Sequence, residues 1–304
     1  MKVNEHKFGV ISGIIAFSFW GFLTLYWRIL SEVGATQILV NRIFWGFFTL
    51  FSLVMFSKKY QPLAVAKKLW KDKKRLGLLV ISTSLLAFNW LLYIYSMVSD
   101  QILEASLGYY INPIISILLG VIFLREKLPK YQLIAAILAG VAVTFLTLAQ
   151  GAPPWMALGI ATSFGFYGLL KKLISIDSMV SLWFEMAIML PFASFFFFHW
   201  IADGTSAYVG SNGIYILLLT GAGMMTVIPL FFFSKAATLL PLKTLGFLQY
   251  IQPTIQFMIA VFINGESFPA FKLIGFSVIW FACLIFSLSG FLEKMNGVTP
   301  YAEQ

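Results

Sequence analysis

Residues 110–134 read "YINPIISILLGVIFLREKLPKYQLI", and the pattern returns without a gap at residues 250–274 as "YIQPTIQFMIAVFINGESFPAFKLI". The two copies share a tyrosine, a proline, a glutamate and a second proline in register. Two unrelated apolar helices would not share this arrangement of tyrosine, prolines and glutamate. We therefore interpret the chain as two related halves, residues 1–150 and 151–304.

The composition is that of a membrane protein. Apolar residues make up 60% of the 304 positions and charged residues 11%, against roughly a quarter charged in soluble domains. Several apolar runs have about the 20 residues that a membrane-spanning helix needs. We predict an all-α polytopic membrane protein with ten transmembrane helices, near residues 8–28, 35–56, 77–98, 103–124, 131–148, 154–173, 179–200, 213–234, 241–263 and 270–290. Because each half then has an odd number of spans, the halves are expected to be inverted repeats of five helices each.

Charge sets the expected orientation. Segment 57–76, "SKKYQPLAVAKKLWKDKKRL", is predicted as a loop and carries eight Lys or Arg and one Asp. The positive-inside rule places it in the cytoplasm. With an even number of spans, both termini are then expected in the cytoplasm and the protein in the cytoplasmic (inner) membrane. The formal net charge of +9 reflects this topology rather than affinity for nucleic acid.

Two charged residues fall well inside predicted spans. Arg42 lies in "ILVNRIFWGFF" (38–48), and a shift of 143 positions carries it onto Glu185 in "SLWFEMAIMLP" (181–191). Ionisable residues at such depth usually face the bundle interior or a water-filled cavity. For Arg42 the alternative is snorkelling to the outer interface; for Glu185 it is snorkelling or a hydrogen bond to a neighbouring helix. A direct ion pair between the two is not favoured, because their depths differ.

The repeated prolines predict helix kinks. Pro113 and Pro253 each lack a backbone N–H and clash with the carbonyl four residues earlier. Kinked backbone at membrane depth is tolerated where protein or a wet cavity satisfies it, so the kinks predict either a substrate cavity or simple packing. Polar side chains beside them are candidate substrate-binding residues: Tyr110, Asn112, Tyr250 and Gln252.

A polar and aromatic face on span 3 adds three candidates for substrate binding, Asn89, Trp90 and Tyr93. The alternative for the two aromatic residues is an interfacial belt. Trp20 and Tyr167 are interpreted as packing residues. Glu126 and Glu266 are expected to cap the helices that follow them. No metal site, cofactor or catalytic triad is predicted.

Several segments together resemble a known family. They are "WGFLTLYW" (20–27), "NWLLYIYSM" (89–97), "EASLGYYINPIISILLGVIFLREKL" (104–128), "PW" (154–155) and "TLGFLQYIQPTIQFMIAVFINGESF" (244–268). They are similar to the RarD-type permeases of the EamA branch of the drug/metabolite transporter superfamily. The resemblance implies two inverted five-helix repeats around a central cavity and export of small molecules by alternating access. It also matches Glu185 to an acidic residue of the family, while Asn41 stands where many relatives have His.

These observations predict a secondary transporter for a small amphipathic metabolite or drug-like molecule. We expect export by a monomer, with Glu185 as the candidate coupling residue and protons as the candidate coupling ion. Uptake by the same fold and a lipid-modifying membrane enzyme are the alternatives. The expected partners are the small-molecule substrate and membrane lipids, with no nucleic acid.

Overall fold

The computed structural model describes residues 3–30, 33–56, 60–98, 102–150, 155–209, 213–263 and 270–295. Within these ranges the secondary structure is helical and contains no strand, so the all-α prediction is confirmed. The helices are α1 (Val3–Ile29), α2 (Ala35–Met55), α3 (Pro62–Lys71), α4 (Lys73–Val98), α5 (Ile102–Leu124), α6 (Lys130–Gln150), α7 (Trp155–Ile174), α8 (Ser178–Ala202), α9 (Gly213–Leu239), α10 (Leu242–Gln249), α11 (Ile251–Met258) and α12 (Ala270–Met295). A π-helical turn, Ile259–Ile263, extends α11.

The helices carry apolar side chains on their outer surface, as a membrane protein requires. Seven of the described helices are long and apolar enough to cross a membrane, namely α1, α2, α4, α6, α7, α8 and α9, and shorter apolar stretches lie in α5 and α12. Large side chains such as Phe192 and Leu148 are about three-quarters exposed, which suits contact with lipid chains. The count of ten spans stays a prediction.

The basic segment 57–76 contains α3, where the sequence predicted a loop. The helix begins with Pro62, which suits the first helical turn because its missing N–H would be unpaired there anyway. Leu69 is buried in a cluster with Leu79 and Ile174, while Trp70 is exposed and lies 4.2 Å from the Lys73 ammonium. Apolar and basic residues on opposite faces explain why this polar segment forms a helix.

The packing pairs helices of the predicted first half with helices of the second. Helix α2 packs on α8, α5 on α10 and α6 on α12, while α1 lies along α9 and α4 along α7. Two repeats related by a two-fold axis pack in this way, with helices of one repeat against helices of the other. The division into two inverted halves stays a prediction, and this pairing supports it.

The two prolines of the repeat differ in their effect. Helix α5 runs through Pro113 without interruption. In the second half, α10 ends at Gln249 and α11 begins at Ile251, just before Pro253. The break lies where the proline ring would clash with the carbonyl of Gln249, four residues back.

Glu126 caps a helix, but not the one that was predicted. Its carboxylate accepts hydrogen bonds from the backbone N–H groups of Leu242 (2.7 Å) and Lys243 (3.0 Å), at the start of α10. Arg125 has a φ of 54°, and this left-handed turn directs the next side chain across to the other half instead of onto α6. We call this contact the Glu126 clasp. Glu266 lies outside the described residues.

Candidate functional site

A cavity lies inside the bundle, nearer to the end opposite α3. It is lined near the end of α1 by Trp27, near the end of α4 by Tyr93 and near the start of α5 by Tyr109. The space open to the centres of water molecules is about 90 Å³, where one water needs about 10–15 Å³. The cavity therefore has room for several water molecules or for part of a small organic molecule.

Arg42 is the only charged residue among the described residues that line this cavity. Its Nε donates a hydrogen bond of 2.9 Å to the Thr226 hydroxyl on α9. The centre of the guanidinium lies 5.1 Å from the ring of Trp27 and 4.8 Å from that of Trp90. The positive group is thus fixed by contacts with α1, α4 and α9 inside the bundle, not at its outer surface.

Five amide side chains also line the cavity: Asn89, Asn112, Gln249, Gln252 and Gln256. The sequence analysis had selected Asn89, Asn112 and Gln252. Gln249, Gln252 and Gln256 are spaced by three and four residues, the spacing that places side chains on one helix face. This regular spacing within an apolar span is the signal by which the other two could have been found.

Some of these amides connect helices, and others have unpaired atoms. Asn89 on α4 donates to the carbonyl of Ile160 on α7 at 2.8 Å, and Gln249 donates to the Ser116 hydroxyl at 3.0 Å. The oxygens Asn112 Oδ1 and Gln249 Oε1 are buried and have no hydrogen-bond partner among the described residues. Unpaired buried amide oxygens cost free energy, and a donor on a bound molecule would recover part of it.

Aromatic rings form most of the remaining wall. The predicted residues Trp90 and Tyr93 line the cavity, and the Tyr93 ring lies 6.1 Å from that of Tyr109. Trp20, interpreted above as a packing residue, does both: its ring packs 5.7 Å from that of Phe164 and also faces the cavity. The sequence analysis missed Trp27, Tyr109 and Phe164 as lining residues.

Tyr110 and Tyr250 do not reach the cavity. Both are buried in an apolar cluster with residues of α6 and α12, where the Tyr110 ring meets that of Phe276 at 5.0 Å. Their immediate neighbours Tyr109 and Gln249 line the cavity instead. One position along an α-helix turns a side chain by about 100°, so these two tyrosines face away from a cavity that their neighbours line.

Glu185 also lies away from the cavity and has bonding partners on the preceding helix, α7. Its side chain is 0% exposed, and its Oε1 lies 2.7 Å from the Lys171 ammonium. The Tyr167 hydroxyl donates to Oε2 at 3.0 Å, and the Ser181 hydroxyl lies 3.2 Å from Oε1. Lys171 and Tyr167 belong to α7, so the bonding matches the interhelical alternative; the sequence analysis did not single out Lys171.

No group of three or more His, Cys, Asp or Glu residues that could hold a metal is found in the part of the chain that the structure describes. The recognisable features are thus a helical bundle with an apolar outer surface and an internal cavity lined by one cation, amides and aromatic rings. This combination is typical of membrane transporters of small molecules.

Comparison with known proteins gives the family. The sequence profile described as "EamA-like transporter family" matches residues 7–148. The chain is 40% identical to "Protein RarD" of Salmonella typhi, with 94% of this chain and 96% of that protein covered. It is 39% identical to an "Uncharacterized transporter" of Vibrio cholerae, with 94% of both chains covered. The chain belongs to the EamA-like transporter family, among its RarD-type permeases, and it is a multi-pass membrane transporter.

A solved crystal structure supports the fold. It superposes with a TM-score of 0.70, covers 92% of this chain and 97% of its own, and is 16% identical in sequence. At that identity the likeness concerns the fold alone.

Proposed function

We propose that this protein is a secondary transporter that exports a small amphipathic acid across the cytoplasmic membrane by alternating access. The observation that carries the proposal is Arg42, the single cation in the described lining of a cavity whose other residues are mostly amides and aromatic rings. A charge in that position needs an electronegative partner or water. A carboxylate on the cargo supplies such a partner.

Each part of the cavity has a separate role in this proposal. Arg42 binds the acidic group, with its planar guanidinium already oriented by Thr226 and two indole rings. Trp20, Trp90 and the other rings cover the apolar part of the cargo. Asn112 and Gln252 orient its polar groups, and the unpaired oxygen of Asn112 accepts a donor from it.

The cargo exchanges with water. In the empty cavity, water molecules solvate the guanidinium, and the cargo replaces part of that water on binding. The net gain comes from the bidentate geometry of a carboxylate on Arg42 and from burial of the apolar part against the rings. A neutral analogue would displace the same water without supplying a negative charge.

The direction and the coupling belong to the proposal as well. Export follows the resemblance to RarD-type permeases, with uptake by the same route as the alternative. Glu185 remains the candidate coupling residue, because it is an acidic side chain buried within a span, and in the described part of the chain Lys171, Tyr167 and Ser181 bind it. Tyr167 and Lys171 are the titratable groups bonded to it in the described structure.

A panel of matched compounds tests the proposal. Purified protein is screened by thermal shift against small aromatic acids and their neutral and cationic analogues, such as phenylacetate, phenylacetamide and phenethylamine. We expect stabilisation by acids, about 2.7 kcal/mol at a hundredfold excess over the dissociation constant, and flux of the binders into liposomes. Equal stabilisation by the neutral or cationic members, or stabilisation retained in Arg42→Ala, would overturn the proposal.

A further inference from the structure

The contact between Lys171 and Glu185 occupies the same place in the second half as the contact between Trp27 and Arg42 in the first. The sequence "WGF" at 20–22 aligns with "FGF" at 164–166, and this alignment carries Trp27 onto Lys171. The shift of 143 positions described above carries Arg42 onto Glu185. The ion pair of Lys171 and Glu185 in the second half therefore stands where the first half has the ring of Trp27 and the cation Arg42.

The positions of both residues in their helices support this correspondence independently of the alignment. Arg42 is the eighth residue of α2, counted from Ala35, and Glu185 is the eighth residue of α8, counted from Ser178. The guanidinium of Arg42 lies 5.1 Å from the ring of Trp27 on the preceding helix α1. Likewise, the carboxylate of Glu185 lies 2.7 Å from Lys171 on its preceding helix α7. Both are therefore about 10 Å along their helices, and in inverted halves they would enter from opposite membrane faces.

The two contacts differ in their surroundings. Trp27 and Arg42 line the cavity, whereas the side chains of Lys171 and Glu185 are 1% and 0% exposed. A buried ion pair is weak evidence for a stabilising role, because desolvation of both charges can exceed their attraction. A pair of apolar residues would fill the same place at no such cost. We therefore expect the ion pair of Lys171 and Glu185 to act in another state of the transporter, one in which water reaches it.

We infer that Lys171 is a second binding site for the acidic group of the cargo, used when the cavity faces the α3 end of the bundle. The inference rests on the proposed function. In that state the repeat-related side chains Lys171 and Glu185 line the cavity as Trp27 and Arg42 do here. The cargo's acidic group takes the place of the Glu185 carboxylate at Lys171 Nζ, while the Ser181 hydroxyl, 2.8 Å from Nζ, stays beside it.

The number of ionic contacts that Lys171 makes stays the same in this exchange. Lys171 exchanges one carboxylate for another, and Glu185 keeps the Tyr167 hydroxyl as a donor while the open cavity brings water to it. The cargo therefore meets a cation on both routes, Arg42 from one side and Lys171 from the other. A transporter with only the first cation would leave the acidic group without a partner near the α3 end.

Cysteine modification tests the inference without knowledge of the cargo. Ser181→Cys is introduced with Cys283→Ser, which removes the free thiol, in membrane vesicles of both orientations. The probes are two membrane-impermeant methanethiosulfonates, one with a sulfonate and one with a quaternary ammonium, normalised to their rates with a free thiol. We expect modification from the α3 side, with the sulfonate severalfold faster, and loss of this preference when Lys171→Met is combined with Glu185→Met, which leaves no buried charge unpaired.

Two control positions make the result decisive. Thr24→Cys lines the cavity and should react from the opposite side, whereas Ala139→Cys, 0% exposed between α6 and α12, should stay unmodified. A Ser181→Cys protein that transports but whose introduced thiol stays unmodified, or reacts without preference for the anion, overturns the inference. Modification of that thiol in a protein that shows no flux of any acid counts against the proposed function instead.

Discussion

The Arg42 side chain is held at membrane depth by two aromatic rings and a hydroxyl, and no ion pair to it is found in the part of the chain that the structure describes. The guanidinium lies between two indole rings, and Nε donates to Thr226. The Thr226 hydroxyl itself donates to the carbonyl of Ala222 at 2.8 Å, so its lone pairs face the arginine. The remaining N–H donors of the guanidinium are the groups through which cargo or water would bind.

Arg42→Lys should transport poorly although it keeps the charge. Lysine has a compact ammonium instead of a planar fork, so it loses the stacking between the two rings and the bidentate geometry. We expect flux reduced at least tenfold in both Arg42→Lys and Arg42→Ala, with unchanged expression and melting temperature within a few degrees. Liposome flux beside a melting curve of the same sample measures both, and normal flux in the alanine variant would exclude a binding role.

The protein should tolerate replacement of both Lys171 and Glu185 better than replacement of one of them alone. Lys171→Met leaves a buried carboxylate without its cation, which should cost about 3–5 kcal/mol or force the group to take up a proton. The double variant Lys171→Met with Glu185→Met leaves no charge and should recover most of that loss. Reversible unfolding in detergent measures the two variants and the unsubstituted protein; a double variant no more stable than the single one would contradict this account.

For single residues, the sequence shows which ones are unusual within an apolar span. It does not show which way their side chains face in the fold. Arg42 and Glu185 are recognisable because charges are rare in apolar runs. Lys171 lies next to Lys172 near a span end, where basic residues are ordinarily topological, so its burial leaves no mark in the sequence. Tyr110 and Tyr109 are adjacent, and only packing against α12 decides which of the two reaches the cavity.

Among the helices, the Glu126 clasp joins the predicted halves at the end near α3. A carboxylate at a helix N-terminus gains from both N–H donors and the helix dipole. Glu126→Gln keeps one acceptor but loses the charge and one of the two acceptor oxygens, so we expect a loss of about 1–2 kcal/mol. The melting temperature checks this, and Lys127→Gln, exposed beside it, is the control that should change little.

Two glycines provide a matched pair. A Cβ on Gly223 would overlap the backbone carbon of Trp45, so Gly223→Ala must push α2 and α9 apart and should cost about 1–3 kcal/mol. A Cβ on Gly140 would meet nothing within 4 Å, so Gly140→Ala in α6 should gain about 0.5–1 kcal/mol. The free energies of unfolding of both variants are measured under the same conditions. Equal values would contradict the close approach of Gly223 to Trp45.

Element boundaries were predictable where apolar runs end in polar or proline residues. The break at Tyr250 was signalled by Pro253, since a proline excludes the carbonyl four residues earlier. Helix α3 was missed because its lysines are typical of a solvated loop, while burial of Leu69 against α4 and α7 depends on tertiary packing. The target of Glu126 was missed for the same reason, because α10 is remote in sequence.

For the molecule as a whole, coupling is testable through Glu185. Glu185→Gln keeps the shape of the side chain but cannot release or take up a proton near neutral pH. If Glu185 couples transport to protons, the variant should lose accumulation driven by a pH gradient while downhill flux persists. Flux is measured with and without an imposed pH gradient. An undiminished response to the gradient would exclude the coupling role.

The Glu126 clasp also has a consequence for measured affinities. If transport proceeds by alternating access and opening toward α3 breaks the two hydrogen bonds from Leu242 and Lys243, these bonds disfavour the state that is open there. The apparent dissociation constant for cargo arriving from that side is the intrinsic one divided by the populated fraction. If roughly one molecule in ten is open there, cargo binds about tenfold more weakly than its contacts alone would give. Weakening the clasp would then raise apparent affinity on the α3 side and lower it on the other, without altering a single residue of the cavity.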